Sequence, residues 1–165
     1  GQQPALHVIV EGLRRLEYRG YDSAGIAVVS DGQIHSRKKA GKLVNLEGEL
    51  ASDPLAVSHI GIGHTRWATH GGPTDTNAHP HLSEDGRVAV IHNGIIENFA
   101  ELRAELTSAG VTLRSETDTE VAAHLIADEV KKLNGDLANA VRAVCRRLRG
   151  AFTLVTDQQR QDSPR

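Results

Sequence analysis

The sequence of 165 residues carries one cysteine, Cys145, so no internal disulfide framework can form, and no Cys pair offers a zinc knuckle or a CxxC redox site. That scarcity fits a reducing cytoplasm. An excess of either charge is lacking too, because 19 Lys plus Arg nearly balance 21 Asp plus Glu for a formal charge of -2. Whole-chain electrostatics therefore gives no reason to expect nucleic acid or an anionic membrane as a partner, and a small or proteinaceous one is expected. No apolar run approaches a membrane span, and the N-terminus lacks the basic-then-apolar pattern of a signal peptide, so a soluble cytoplasmic protein is expected. Internal repeats and low-complexity linkers are absent, and the length suits one domain better than two. The chain also lacks an initial Met: Gly1 stands just before a helical pattern, and the polar end "DQQRQDSPR" follows a strand-like run. Both ends read as cut, and the chain is expected to be part of a longer domain.

After Pro4, the spacing of Leu6, Ile9, Val10, Leu13 and Leu16 predicts a helix that stops at Gly20. "AGIAVVS" and "QIHSRKK" flank Asp31-Gly32, a dipeptide favoured in tight hairpin turns. "KLVNLEGEL" reads as a short helix, and "SHIGIGHTR" alternates as a strand. A loop from about Thr69 to Gly86 follows, of a length that in compact domains is usually functional or disordered. "RVAVIHNG" is the next strand, "NFAELRAELTSAG" a helix closed by Gly110, and "VTLRS" a short strand. Helices over Thr117 to Leu133 and from Gly135 to Leu148 precede a last strand, "AFTLVTD". This order lacks the regular alternation of a doubly wound fold and predicts an α+β class with antiparallel sheet layered against helices.

Three stretches carry candidate chemistry. In "HTRWATHG", residues 64–71, Arg66 offers a planar donor fork for a carboxylate or phosphate, and Trp67 could wall such a pocket; alternatively Arg66 pairs with a surface acid and Trp67 packs in the core. In "HNGIIEN", the Gly94 amide beside the Asn93 side-chain amide can donate two hydrogen bonds to one developing oxyanion, although the same dipeptide is a common strand-to-helix turn. "SETDTE" reads as a helix start with Ser or Thr capping and acids in the first turn. If one of these acids faces a cleft, Asp118 could receive an ammonium group. His64, His70, His79, His81 and His92 raise a metal question, but there is no HExxH and no i, i+4 pair with a carboxylate base. Cys145, spaced with Val141 and Leu148 on one helical stripe, reads as a core residue poorly placed for nucleophilic attack.

Taken together, "RRLEYRGYDSAGIAVV", "GHTRWATHG", "NAHPH", "VIHNGIIENFAELR" and "SETDTEVAAHLI" closely resemble the N-terminal glutaminase domain of the glutamine:fructose-6-phosphate aminotransferase (isomerizing) family, among the class II glutamine amidotransferases. The resemblance runs in order from about Val10 to Leu154. It implies an N-terminal-nucleophile hydrolase fold, a four-layer αββα sandwich of antiparallel sheets between helices, incomplete here at both ends. In that family an N-terminal Cys attacks the side-chain amide of glutamine, its own α-amino group acting as base, and the γ-glutamyl thioester releases ammonia and then glutamate. Carried over residue by residue, Arg66 would hold the α-carboxylate of glutamine and Asp118 its α-ammonium. Asn93 and Gly94 would form the oxyanion hole. Trp67, Thr69 and His70 would line and help close the pocket, with Arg19 near the nucleophile. The resemblance implies no cofactor and no metal. The implied partners are L-glutamine and an isomerase domain of the same full-length chain, which takes the ammonia to make glucosamine 6-phosphate from fructose 6-phosphate in a homo-oligomer. The N-terminal Cys and the isomerase part are not in this sequence, so the chain is expected not to hydrolyse glutamine alone. The alternative reading is a nucleophile-free module that binds glutamine or regulates.

Overall fold

The computed structural model describes residues 3–158; Gly1 and most of the polar end of the chain lie outside them. The first half begins with α1 (Ala5–Leu16), preceded by Pro4 and followed by a 3-10 turn over Glu17–Arg19 that ends on Gly20 at φ +75°. Strands β1 (Ser23–Ser30) and β2 (Gln33–Ala40) form the expected hairpin. Asp31 and Gly32 both take positive φ, 50° and 70°, the geometry whose twist matches the flanking strands. Helix α2 (Leu43–Ser52) follows, and β3 (Gly61–Arg66) pairs antiparallel with the other edge of β1, giving the order β2-β1-β3. Leu13, Ile26, Val28, Leu43 and Leu46 close one apolar cluster between this sheet and its two helices. Gly63 lets α1 approach, because a Cβ there would lie 2.2 Å from Cγ2 of Ile9.

The second half is a separate sheet of order β4-β5-β6, built from β4 (His81–Leu82), β5 (Val88–Ile96) and β6 (Gly150–Gln158), again antiparallel. Helices α3 (Phe99–Ser108), α4 (Asp118–Lys132) and α5 (Leu137–Cys145) cover it, with α4 nearest to β5. The first ten residues of α4, Asp118–Ala127, are all buried. Val88, Val90, Val121, Leu125, Ile126 and Val144 belong to a second apolar cluster that shares no residue with the first. The result is the expected α+β arrangement of two antiparallel sheets between helical layers.

Polar contacts lie between the two clusters, among them His64 with Asn93 and Asn77 with Glu116. Gly25, Lys38 and His64 stand side by side across β1, β2 and β3, on the face turned away from α1 and α2. The chain segment 76–80 lies against that face so closely that a Cβ on Gly25 would meet the His79 carbonyl oxygen at 2.1 Å.

Three expectations are corrected. The "VTLRS" segment is not a strand: the Arg114 and Ser115 N–H groups donate to the Glu120 carboxylate, at 2.8 and 2.7 Å, and so are not offered to a sheet. Conversely, the long loop contains the two-residue strand β4, held in register with Val90 and Ala89 of β5. The last helix ends at Cys145 rather than Leu148, which places the thiol at a helix end, only half-buried, instead of mid-helix in the core.

Candidate functional site

The C-terminal end of β3, the second half of β5 and the start of α4 enclose a cleft of about 810 Å³. Arg19, Arg66, Trp67, Thr69, Asn93, Gly94 and Asp118 all line it. Sequence positions up to 99 residues apart in the chain are thus brought to one place.

Arg66 is the cationic wall. The residue is 3% exposed, and its guanidinium donates to the carbonyls of Gly71 at 2.9 Å and Gly72 at 3.2 Å, and also to that of His70. These partners are neutral. The nearest carboxylate in an ion pair with it, Asp22, is 3.8 Å away, so most of the positive charge stays available to an anion in the cleft. Burial pushes the guanidinium down from its ordinary value, and Asp22 and Asp118 pull it back up. Asp22 in turn accepts from the Ala68 N–H, and its own N–H donates to the Arg66 carbonyl at 2.8 Å, which fixes the turn out of β3. The pairing of Arg66 with an acid is thus met by Asp22, a long contact to a partly exposed side chain. A core position for Trp67 is ruled out, because it is 71% exposed and rests on Gly20, where a Cβ would come within 3.0 Å of its ring.

Asn93 and Gly94 lie inside β5, opposite Thr153 and Phe152 of β6, and the strand continues to Ile96. The strand-to-helix turn comes later, so the turn reading of this dipeptide fails. Gly94 has φ +121°, and a Cβ would stand 2.2 Å from the Ala151 carbonyl oxygen and 2.7 Å from Cα of Phe152. Asp118 is 2% exposed; its Oδ2 accepts from the Ile96 N–H at 2.9 Å, while Oδ1 lies 3.7 Å from Nδ1 of His92. The capping reading of "SETDTE" holds for Thr117, whose side chain accepts from the Glu120 N–H at 3.3 Å. Glu120 itself is held at about 2: burial pushes its carboxyl up, but hydrogen bonds from His124, from the backbone of Arg114 and Ser115 and from the Ser115 hydroxyl outweigh that.

His70 departs from expectation. Its ring packs on Phe99, 4.4 Å between centroids, and does not line the cleft; its contribution is the backbone carbonyl that receives Arg66. Three other histidines do line it, namely His64, His79 and His92. His79 stacks on His64 at 4.6 Å and meets His81 edge-on at 5.1 Å. The Thr119 hydroxyl lies 3.0 Å from Nε2 of His79 and 3.1 Å from Nδ1 of His92. Burial is the largest cause that pushes His64, His79, His81 and His92 below their ordinary value, His81 to about 3, so these rings are neutral at pH 7. Among the described residues no group of three or more His, Cys, Asp or Glu side chains could hold a metal ion. Cys145 does not line the cleft.

The loop that supplies the Arg66 acceptors is fixed by groups that the sequence reading did not single out. Lys38 donates to the carbonyls of Thr76, Ala78 and Pro80, at 3.0, 2.9 and 3.4 Å. Burial lowers its amine to about 8, so at neutral pH it remains protonated and keeps all three donors. Asn77, buried, donates to Glu116 Oε2 and accepts from the Glu116 N–H, both at 3.0 Å, tying the loop to the approach to α4. Replacing Lys38 by Met keeps the stem and removes the donors, and is expected to cost about 1–3 kcal/mol of stability. An unchanged melting temperature would show that the three carbonyls are satisfied without the ammonium.

The sequence profile of the family described as "Glutamine amidotransferase domain" matches residues 64–163. The chain is 66% identical over 155 residues to the glutamine--fructose-6-phosphate aminotransferase (isomerizing) of Streptomyces coelicolor, covering 94% of this chain and 25% of that protein. It is 55% identical over 159 residues to the protein of the same name from Mycobacterium tuberculosis, covering 94% of this chain and 26% of that one. The chain therefore spans about a quarter of the length of the curated relatives it matches. Among solved structures, the glutamine phosphoribosylpyrophosphate amidotransferase from B. subtilis, complexed with ADP and GMP, superposes with a TM-score of 0.75 at 29% identity, over 96% of this chain and 34% of that one.

Proposed function

The chain belongs to the glutamine amidotransferase domain family, and from that premise we propose that its cleft binds L-glutamine and presents the side-chain amide for hydrolysis to glutamate and ammonia. One observation carries this reading: a buried cation, Arg66 at the end of β3, and a buried carboxylate, Asp118 at the start of α4, reach the same cleft, with Asn93 and Gly94 also lining it. An α-amino acid carries the complementary charges, and glutamine adds a carbonyl at the end of its side chain. Arg66 takes the α-carboxylate and Asp118 Oδ1 the α-ammonium, both as charge-assisted hydrogen bonds. The Gly94 N–H and the Asn93 amide donate to the amide oxygen, most strongly once attack has turned it into an oxyanion. Trp67, Thr69 and Arg19 shield the mouth. The attacking thiol comes from outside this sequence, since Cys145 lies away from the cleft. Because His92, 3.7 Å from Oδ1 of Asp118, is neutral, it does not compete with the substrate ammonium for that carboxylate.

The wider protein, in this reading, is a glutamine:fructose-6-phosphate aminotransferase. The ammonia passes to an isomerase domain that forms glucosamine 6-phosphate from fructose 6-phosphate, and the whole assembles as a homo-oligomer in the cytoplasm without a nucleic-acid or membrane partner.

Calorimetric titration tests the binding step. L-glutamine should bind, and 4-carbamoylbutyrate, which lacks the α-amino group, should bind far more weakly. Arg66→Ala should weaken L-glutamine about 10- to 100-fold, the worth of a hydrogen bond to a charged group. Arg66→Lys, which keeps the charge without the fork, should fall between. Equal affinity for the two ligands, or an unaffected Arg66→Ala protein, would remove the assignment.

A further inference from the structure

Nε2 of His64 and Oδ1 of Asn93 are 2.9 Å apart, and they join β3 of one sheet to β5 of the other. We infer that His64 is a positioning residue: it donates from Nε2 to Oδ1 of Asn93 and so fixes the amide with Nδ2 free to donate into the cleft. The inference rests on the oxyanion role proposed for Asn93.

An asparagine amide can turn over, which would aim its oxygen at the developing negative charge and abolish the donor. Two features of the His64 ring select against that. Its Nδ1 is buried and has no hydrogen-bond partner. With the observed amide, the ring proton is on Nε2, and the orphan is a bare acceptor lone pair. With the amide reversed, Nε2 would have to accept, the proton would move to Nδ1, and a buried N–H would be left without an acceptor, the rarer and costlier case. The ring is also held in place: it stacks on His79 with planes 23° apart, and its backbone is locked opposite Gly25 in the sheet. Protonating His64 would create the same orphan donor, and burial, His92 and Arg66 all oppose it, against the hydrogen bond to Asn93 and the charge of Asp22.

Nitrogen-15 NMR of the unmodified chain tests the tautomer directly. A proton on Nε2 and a bare Nδ1 are expected for His64; the reverse overturns the inference. Binding then tests the consequence, with L-norvaline as the probe that keeps the α-groups of glutamine and has no carbonyl for Asn93 to meet. His64→Leu should weaken L-glutamine about tenfold, the worth of one such hydrogen bond, and leave L-norvaline unchanged. His64→Gln, whose amide can donate to Oδ1, should recover most of the loss. Equal weakening of both ligands would make His64 a merely structural residue and overturn the inference. If L-glutamine does not bind the unmodified chain while the Nε2 tautomer is observed, the substrate assignment fails and the orientation of Asn93 stands.

Discussion

Gly94→Ala should lower the melting temperature by about 10 °C and abolish L-glutamine binding. Two costs combine at this position. The backbone at φ +121° is one that L side chains rarely adopt, worth about 1–3 kcal/mol of strain. The added methyl would also stand 2.2 Å from the Ala151 carbonyl oxygen and 2.7 Å from Cα of Phe152. Both are backbone atoms of a paired strand, so relief requires β6 to separate from β5, and overpacking of this kind typically costs about 1–3 kcal/mol more. A total of about 3 kcal/mol or above, at about 2–4 °C per kcal/mol for a chain of this size, gives the stated shift. The Gly94 N–H would move with the backbone, which removes one donor of the proposed oxyanion site. Gly12→Ala is the matched control. That glycine lies within α1 with nothing within 4 Å of its added Cβ, so alanine there should stabilise by about 0.5–1 kcal/mol. Equal melting temperatures for the two variants would refute the steric argument.

Mild acid should destabilise the domain strongly, well before its carboxylates titrate. A histidine whose folded value is depressed binds its proton more readily in the unfolded chain. Its contribution to stability is therefore complete above the unfolded value near 6.5 and is lost as pH falls below it. His79 is pushed well below its ordinary value and His81 to about 3, in both cases chiefly by burial. Each then removes up to about 1.4 kcal/mol per pH unit, reaching that slope only below about pH 6, so the two together remove roughly 3 kcal/mol between pH 6.5 and 5. That is a large part of the 5–15 kcal/mol or so that holds a typical domain, and His64 and His92 act in the same direction. Glu120, held at about 2, adds its own loss only below about pH 4.5. Urea midpoints followed by circular dichroism should therefore fall steeply from pH 6.5 to 5. A flat profile across that window, where histidines are the main groups to titrate, would sink the prediction.

Much of the fold can be read from local pattern because the determining contacts are local. The 3.6-residue spacing in α1, the Asp31-Gly32 turn and the Thr117 cap each depend on neighbours within a few positions. "VTLRS" misleads because its strand-like composition is overridden by Glu120, a side chain that takes the backbone donors a sheet would need. β4 is hidden because two residues carry no period, and only their pairing with β5 defines them. At the site, residue chemistry identified Arg66, Asn93, Gly94 and Asp118 as candidates, and motif order then joined them; the structure places all four on one cleft. The histidines were visible as a cluster in sequence, yet their burial and neutrality depend on the rings and hydroxyls of four separate segments. Lys38 gave no signal, since a lysine in a β-hairpin is ordinarily solvated, and only the carbonyls of a loop 40 residues away make it an anchor.

The polar layer between the two apolar clusters has a mechanical consequence. Each half has its own apolar packing, whereas the halves are joined by the His64–Asn93 contact and by the loop that Lys38 and Arg66 hold in place. Such a seam is where a domain opens sub-globally, ahead of complete unfolding. Arg66 ends a strand of one half, and Gly94 and Asp118 stand on elements of the other. A molecule that engages all three acts as a cross-brace, and the free energy of its binding is added to the weakest joint of the architecture.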